Sequence, residues 1–422
     1  MAKISGKAVA KEASKIVLTL DLGGSKTKAL VQKYPEGKPY VLLMDSEVAD
    51  VNKASLQTIQ QEGIPETRAW VGVAGEYYAL GVLARSQFWG ISQLKELKYQ
   101  LAVPKVCGMI WLAKEKLDLG NDVLIYLNIL LPPGEVQDKE QLQARLKEVF
   151  RGFETPAGKM RVKILNFTVS PEGAGIFFHR RRLHGGTLPT SLFVMLGYRN
   201  ASVFLVRDGV PNRGITSDLG MSWFVSNFVS KVSGLSPDDK NVVETLVEAG
   251  AECSPQMLEK LSRKRKPNEI KADAELMSKA LLLARDEYWR AIARWLRSQA
   301  ENDVCEFVFC GGTADYIQPE IDAYCEKEGI TVSWHAGITI PNIASSMGNR
   351  MADVVALHEH MVLEFDRVTS YGRQEPLFDT TIAKTSSTNN KVVAISNTHD
   401  KRVPNYAPQP VPKDFLLMSD KA

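Results

Sequence analysis

Apolar and polar positions along this chain switch repeatedly between a period of two and a period near 3.6, and each switch marks an element. Residues 16–21 (IVLTLD) form an apolar run with β-branched side chains; a Gly-Gly turn follows and a second apolar segment returns at 29–31, which predicts a β-hairpin. Residues 70–74 predict another strand, 97–117 a helix, and 123–131 a buried strand ending at Pro132 and Pro133. Helical spacing resumes over 137–150 and strand character over 162–169. A basic, glycine-containing break at 180–186 precedes a strand-turn-strand pattern over 192–206, and the first domain boundary is placed there. Helices are predicted at 219–230, at 242–249, and over the long amphipathic stretch 272–300 that carries Trp289 and Trp295. A short strand at 306–310 runs into Gly311 and Gly312, and a helix at 343–365 is placed to return to the first domain.

Strands and helices alternate as an α/β protein requires. The 422 residues, 44% hydrophobic, suffice for two or three cores and exclude a fibrous or wholly disordered chain. Residues 1–15 carry Lys3, Lys7, Lys11 and Lys15 without an apolar core segment, and beyond about 370 the composition turns to Ser, Thr, Asn and Pro, so both ends are expected to be flexible. With 52 basic and 49 acidic residues the net charge is +3, which gives no sign of a surface built to hold nucleic acid. The five cysteines are scattered without CxxC spacing, and no apolar run reaches bilayer length, so a reduced, cytoplasmic, membrane-free setting is expected. The basic runs at 180–182 and 263–266 read as solvated helix ends or loop charges. His358 and His360, two apart on a helix, face different directions and are not read as a metal site.

Three glycine turns and one glutamate carry candidate chemistry. In the first turn, Gly23, Gly24 and Ser25 leave backbone amides bare for phosphate oxygens, Lys28 adds a positive charge, and Asp21 at the strand end could hold water on a magnesium ion. The second turn repeats this layout with Gly197, Arg199 and Asn200 as donors. In the third, a buried strand enters a helix through Gly311, Gly312 and Thr313, where a flat adenine or ribose can lie against bare backbone. Between the first two lies Pro171-Glu172-Gly173-Ala174-Gly175, whose carboxylate could orient water for attack on a γ-phosphate. Each feature alone is also an ordinary hairpin, a strand-to-helix junction, or a first-turn glutamate favoured by the helix dipole; their order and spacing together point to a ligand.

Taken together, these segments resemble the actin, sugar kinase and large heat-shock chaperone superfamily over about residues 16–365, and within it the ParM/StbA plasmid-segregation actins. The pointers to that group are Pro-Glu-Gly-Ala-Gly at 171–175, the stretch 42–48 and the strand at 70–72. The resemblance implies an actin-like (ribonuclease H-like) fold of two domains, each a mixed sheet flanked by helices: 16–190, completed by about 343–368, and 191–342. It implies ATP or GTP with Mg2+ in the cleft between them, self-assembly into filaments, and a DNA-binding adaptor in place of direct nucleic-acid contact. One position departs from the pattern. The second loop of this superfamily usually opens with an aspartate, and Met195 stands there. A methionine cannot hold metal-bound water, so the placement of magnesium falls to Asp21, with Glu172 as a second candidate, and slow or absent hydrolysis goes with it.

Two other functions fit the same sequence. A sugar kinase of this superfamily shares the first loop, although the Cys/His zinc cluster that many such kinases carry is absent here. A nucleotide-dependent scaffold that neither hydrolyses nor polymerises fits Met195.

Overall fold

The computed structural model describes residues 13–59, 63–91, 101–212 and 214–378. Residues 1–12 of the expected N-terminal basic segment, most of the expected C-terminal tail, and the first turn of the helix expected at 97–117 lie outside them, while Ser14 and Lys15 of that segment belong to the first strand.

The first part of the chain builds a nine-stranded sheet from β1 (Ser14–Leu22), β2 (Lys26–Lys33), β3 (Tyr40–Asp45), β4 (Val48–Val51), β5 (Trp70–Val73), β6 (Glu76–Leu80), β7 (Asp122–Leu131), β8 (Phe153–Thr155) and β9 (Gly158–Pro171). Their order is β3-β2-β1-β7-β9-β8-β5-β6-β4. The hairpin expected at the start is β1 and β2, antiparallel with Asp21 opposite Lys28, and the buried strand β7 runs parallel to both β1 and β9. Short helices α1 (Lys53–Gln57) and α2 (Gly81–Phe88) lie between strands, while α3 (Ala102–Leu117) and α4 (Lys139–Val149) belong to the same part. Thirteen of the sixteen residues of α3 are buried, and Trp111, Ile110 and Val106 join Leu18, Leu20, Ile125 and Phe167 in one core. Such a helix is apolar nearly all round because sheet and neighbouring elements enclose it.

A second sheet of six strands comprises β10 (Ser191–Leu196), β11 (Ala201–Arg207), β12 (Val210–Pro211), β13 (Ile215–Ser217), β14 (Glu306–Cys310) and β15 (Thr331–Trp334), with β10 and β14 parallel at its centre. Its core draws on α6 (Met221–Val229), α7 (Lys240–Ala249), α8 (Pro255–Leu258), α9 (Pro267–Gln299), α10 (Gly312–Tyr316) and α11 (Gln318–Glu328). Trp289 and Trp295 are half-buried against this core, which makes them packing anchors.

Two helices belong to neither sheet alone. The segment α5 (Ala174–Leu183) follows β9, and α12 (Ala352–Thr369) ends the described fold. A third core joins Val17, Leu30 and Leu130 of the large sheet to Phe193, Phe204 and Val308 of the small one through Ile176, Phe177, Val354 and Leu357 of these helices. Phe193 and Phe204 stack at 4.9 Å, with Phe177 edge-on to both. Each fully buried phenylalanine contributes roughly 1.5–3 kcal/mol from area alone.

The two helices cross at unusually short range. A Cβ added at Gly175 would fall 2.1 Å from the Asp353 carbonyl oxygen and 2.6 Å from the Leu357 amide nitrogen. Only hydrogen fits there.

Two expectations change. The arginines at 180–182 lie not in a break but in the last turn of α5, the helix-end placement that was one of the two expected for them, and Arg180 is held rather than simply solvated: it pairs with the buried Glu306, and Arg182 with Glu359; basic side chains suit a helix C-terminus. The helix expected from 343 begins only at Ala352, since 342–351 form 3₁₀ turns with a break at Gly348, whose φ is +53°. The apolar spacing of that stretch survives in the tighter winding, so periodicity could not separate the two.

The helix crossing gives a direct test. Gly175→Ala should lower the free energy of unfolding by about 3 kcal/mol or prevent accumulation of the folded chain, because overpacking here meets backbone on both sides. An unchanged urea midpoint would disprove the close approach.

Candidate functional site

Every residue singled out in the three turns lines one cavity of about 430 Å3 between the sheets: Asp21, Gly23, Gly24, Ser25 and Lys28; Gly197, Arg199 and Asn200; Gly311, Gly312 and Thr313; and Glu172. Volumes in this range suit small-molecule ligands. The β1–β2 and β10–β11 hairpins face each other across it, with the third turn at the end of β14. Gly311 holds φ at +99°, and a Cβ there would sit 2.3 Å from the Leu196 carbonyl oxygen, so the turn depends on glycine. The Thr313 hydroxyl donates to the Gly197 carbonyl at 2.8 Å, tying the second and third turns together.

The cationic side chains divide in their roles. Lys28 forms an ion pair with Asp21 at 2.6 Å, both only about 15% exposed, and donates to the Arg350 carbonyl at 2.8 Å. Arg199 lines the cavity, yet its guanidinium is held by the buried Glu135 at 2.8 Å. Arg350 also lines the cavity and was not foreseen from the sequence. It donates to the Ser25 hydroxyl at 2.9 Å, and its stem lies on Gly312, where a Cβ would be 3.0 Å from Arg350 Cγ. It thereby joins the first and third turns. Asn200 is buried, and its Oδ1 has no hydrogen-bond partner among the described residues.

Met195 also lines the cavity, with the Cys310 thiol 3.5 Å from its sulfur. A carboxylate that sequence reasoning missed reaches the cavity from another element: Asp353 of α12, which is buried. It accepts from the Gly173 amide at 2.7 Å and the Ile176 amide at 3.2 Å. Burial pushes its carboxyl up to about 7; those two amides oppose the shift, and the negative charges of Asp21 and Glu172 add to it. In the sequence Asp353 looks like a first-turn acid serving its own helix. No local signal marks it as serving another.

Beyond the turns, Met221, Val243 and Val247 give the cavity an apolar flank, with Glu244 and Glu248 beside them on α7. Lys240 at the start of α7 reaches Asp45 at 3.1 Å and Glu47 at 3.0 Å, both buried at the end of β3, where Asp45 lies opposite Lys26 just after the first turn. Burial pushes the Asp45 carboxyl up, but Lys240 and Lys26 outweigh burial and hold it below the usual carboxylate range.

The residues suit a nucleotide with magnesium. Bare amides, Lys28 and Arg350 offer donors to phosphate, and the mutual repulsion of Asp21, Glu172 and Asp353 is what a cation would relieve. Magnesium keeps several waters and needs few protein ligands, so one or two of these carboxylates would suffice. Among the described residues no cluster of three or more His, Cys, Asp or Glu forms a metal site of its own, and no helix is long and apolar enough to cross a membrane. His358 is bound on both ring nitrogens, by Thr19 at 3.0 Å and Gln32 at 3.1 Å, and His360 stacks on Phe178.

Residues 19–175 match the family described as actin like proteins N terminal domain. No curated protein sequence matches the chain significantly. Among solved structures, the chain is similar to a ParM of a 15-stranded filament from Clostridium botulinum (17% identity, TM-score 0.55, 84% of this chain and 99% of that one). It is similar also to Bacillus thuringiensis ParM with AMPPNP (13%, TM-score 0.53, 84% and 100%) and to an archaeal actin homolog in complex with ADP (14%, TM-score 0.50, 82% and 99%). The match over residues 19–175 and the architecture shared along nearly the full length of these structures give this chain an actin-like fold.

Proposed function

We propose that the chain binds a purine nucleoside triphosphate with Mg2+ between its two sheets and assembles head to tail into filaments. The observation that carries this reading is the convergence of three glycine turns, from residues 21 to 313, on one cavity. In this reading 16–190 with 343–368 form one half of a hinge and 191–342 the other, with α5 and α12 as the joint. Magnesium would neutralise the charge of the bound phosphates; Asp21 would hold its water shell, and the Gly23, Gly24 and Ser25 amides with Lys28 would grip the phosphates. Glu172 orients a water molecule for attack.

By likeness to the ParM structures, we assign the filament the task of moving plasmid DNA in the cytoplasm, held through an adaptor, since the near-balanced charge of the chain offers nucleic acid little. A heterologous contact that repeats without closing gives a filament without further devices. Met195 favours a second reading, in which the chain binds nucleotide and turns it over slowly or not at all.

Calorimetry with ATP and GTP tests the first claim: Asp21→Ala should abolish the magnesium-dependent part of binding, and failure of the unmodified chain to bind either nucleotide removes the proposal. Glu172→Ala should leave affinity intact and slow hydrolysis about 10²-fold; equal turnover would take Glu172 out of the chemistry. Light scattering and electron microscopy with nucleotide should reveal sedimentable polymer, and a persistently monomeric chain would favour the scaffold.

A further inference from the structure

Helix α5 starts without a cap of its own. Its N-cap is Gly173 at φ +91°, which has no side chain to accept from the first-turn amides. The cap comes from α12 instead, because both carboxylate oxygens of Asp353 accept backbone N–H groups of this turn, Gly173 at 2.7 Å and Ile176 at 3.2 Å. Glu172 immediately precedes the first of these amides and lines the cavity.

Stability alone is a poor account of the arrangement. Asp353 is buried with its two oxygens on backbone amides, and a carboxylate so placed costs free energy that a serine or asparagine cap would not. What it does achieve is geometric: two bonds to one carboxylate fix both the position and the tilt of the turn that carries Glu172. The hydrogen at Gly175 permits this reach, since its absent Cβ would sit 2.9 Å from Asp353 Oδ1.

We propose that Asp353 is a positioning residue, which clamps the Gly173 and Ile176 amides so that Glu172 is held in the cleft to orient water, in a chain whose β10 presents Met195 to the same cavity. The inference rests on the nucleotide reading above and adds to it a residue on a third element that acts through Glu172.

The test uses the full chain, with ADP affinity by calorimetry and ATP hydrolysis measured on the same samples. In Asp353→Asn one accepting oxygen becomes a donor facing a backbone donor. Turnover should fall about 10²-fold, as a displaced catalytic group commonly causes, while ADP affinity stays within about threefold. In a Glu172→Gln background the same change should cost under about threefold, because the two residues act as one unit. Wild-type turnover in Asp353→Asn, a full additive loss in the double variant, or affinity falling in step with turnover would each overturn the proposal. If Asp353→Asn does not fold, Asp353→Ser, which keeps one accepting oxygen, carries the same comparison. A wild-type chain that binds ADP without hydrolysing ATP also overturns it while the nucleotide reading stands; a chain that binds no nucleotide overturns both.

Discussion

The close crossing of α5 and α12 is the constraint on which the rest of the molecule depends. These helices are the common packing partners of the two sheets, and they meet where backbone lies against backbone at Gly175. Cores at this density do not deform continuously, so a shift of either helix must be taken up by whole layers of Phe177, Phe193 and Phe204. The same crossing delivers functional groups. Glu172 precedes α5, Asp353 opens α12, and Arg350 sits just before it, so the joint and three walls of the cavity are one construction.

The cavity is assembled from groups that balance one another. Lys28 neutralises Asp21 from the opposite strand of a hairpin, and Glu135 engages Arg199. Arg350 bridges two turns through Ser25 and Gly312. Met195 with the Cys310 thiol gives one wall a soft, apolar surface where a charged group would draw in a cation and its water.

Much of this was legible from residue order. Short apolar runs in β1, β2, β7 and β14 located the strands, and the glycine pairs located the turns, because both depend on interactions within a few residues. The same local view failed where partners are distant. Arg199 reads as a free donor until Glu135, 64 residues away, is placed beside it. Asp353 reads as a helix-dipole acid until a turn 180 residues earlier is brought under it. Arg180 and its neighbours read as a helix end or as loop charges, because basic clusters mark both alike, and the winding of α5 with the pairing to Glu306 decided between them.

Lys240 has a further consequence. It stands on the small-sheet side and grips Asp45 and Glu47 on the large-sheet side, while Arg199 and Glu135 make a second such link. Any parting of the sheets must pull these charges from partners that are themselves shielded from water, and a buried carboxylate stripped of its cation is costly. If the proposed nucleotide exchanges through such a parting, its exchange would be tied to breaking a few ionic clasps, and dissolved salt, by solvating the separated charges, would set the tempo at which the molecule could reload.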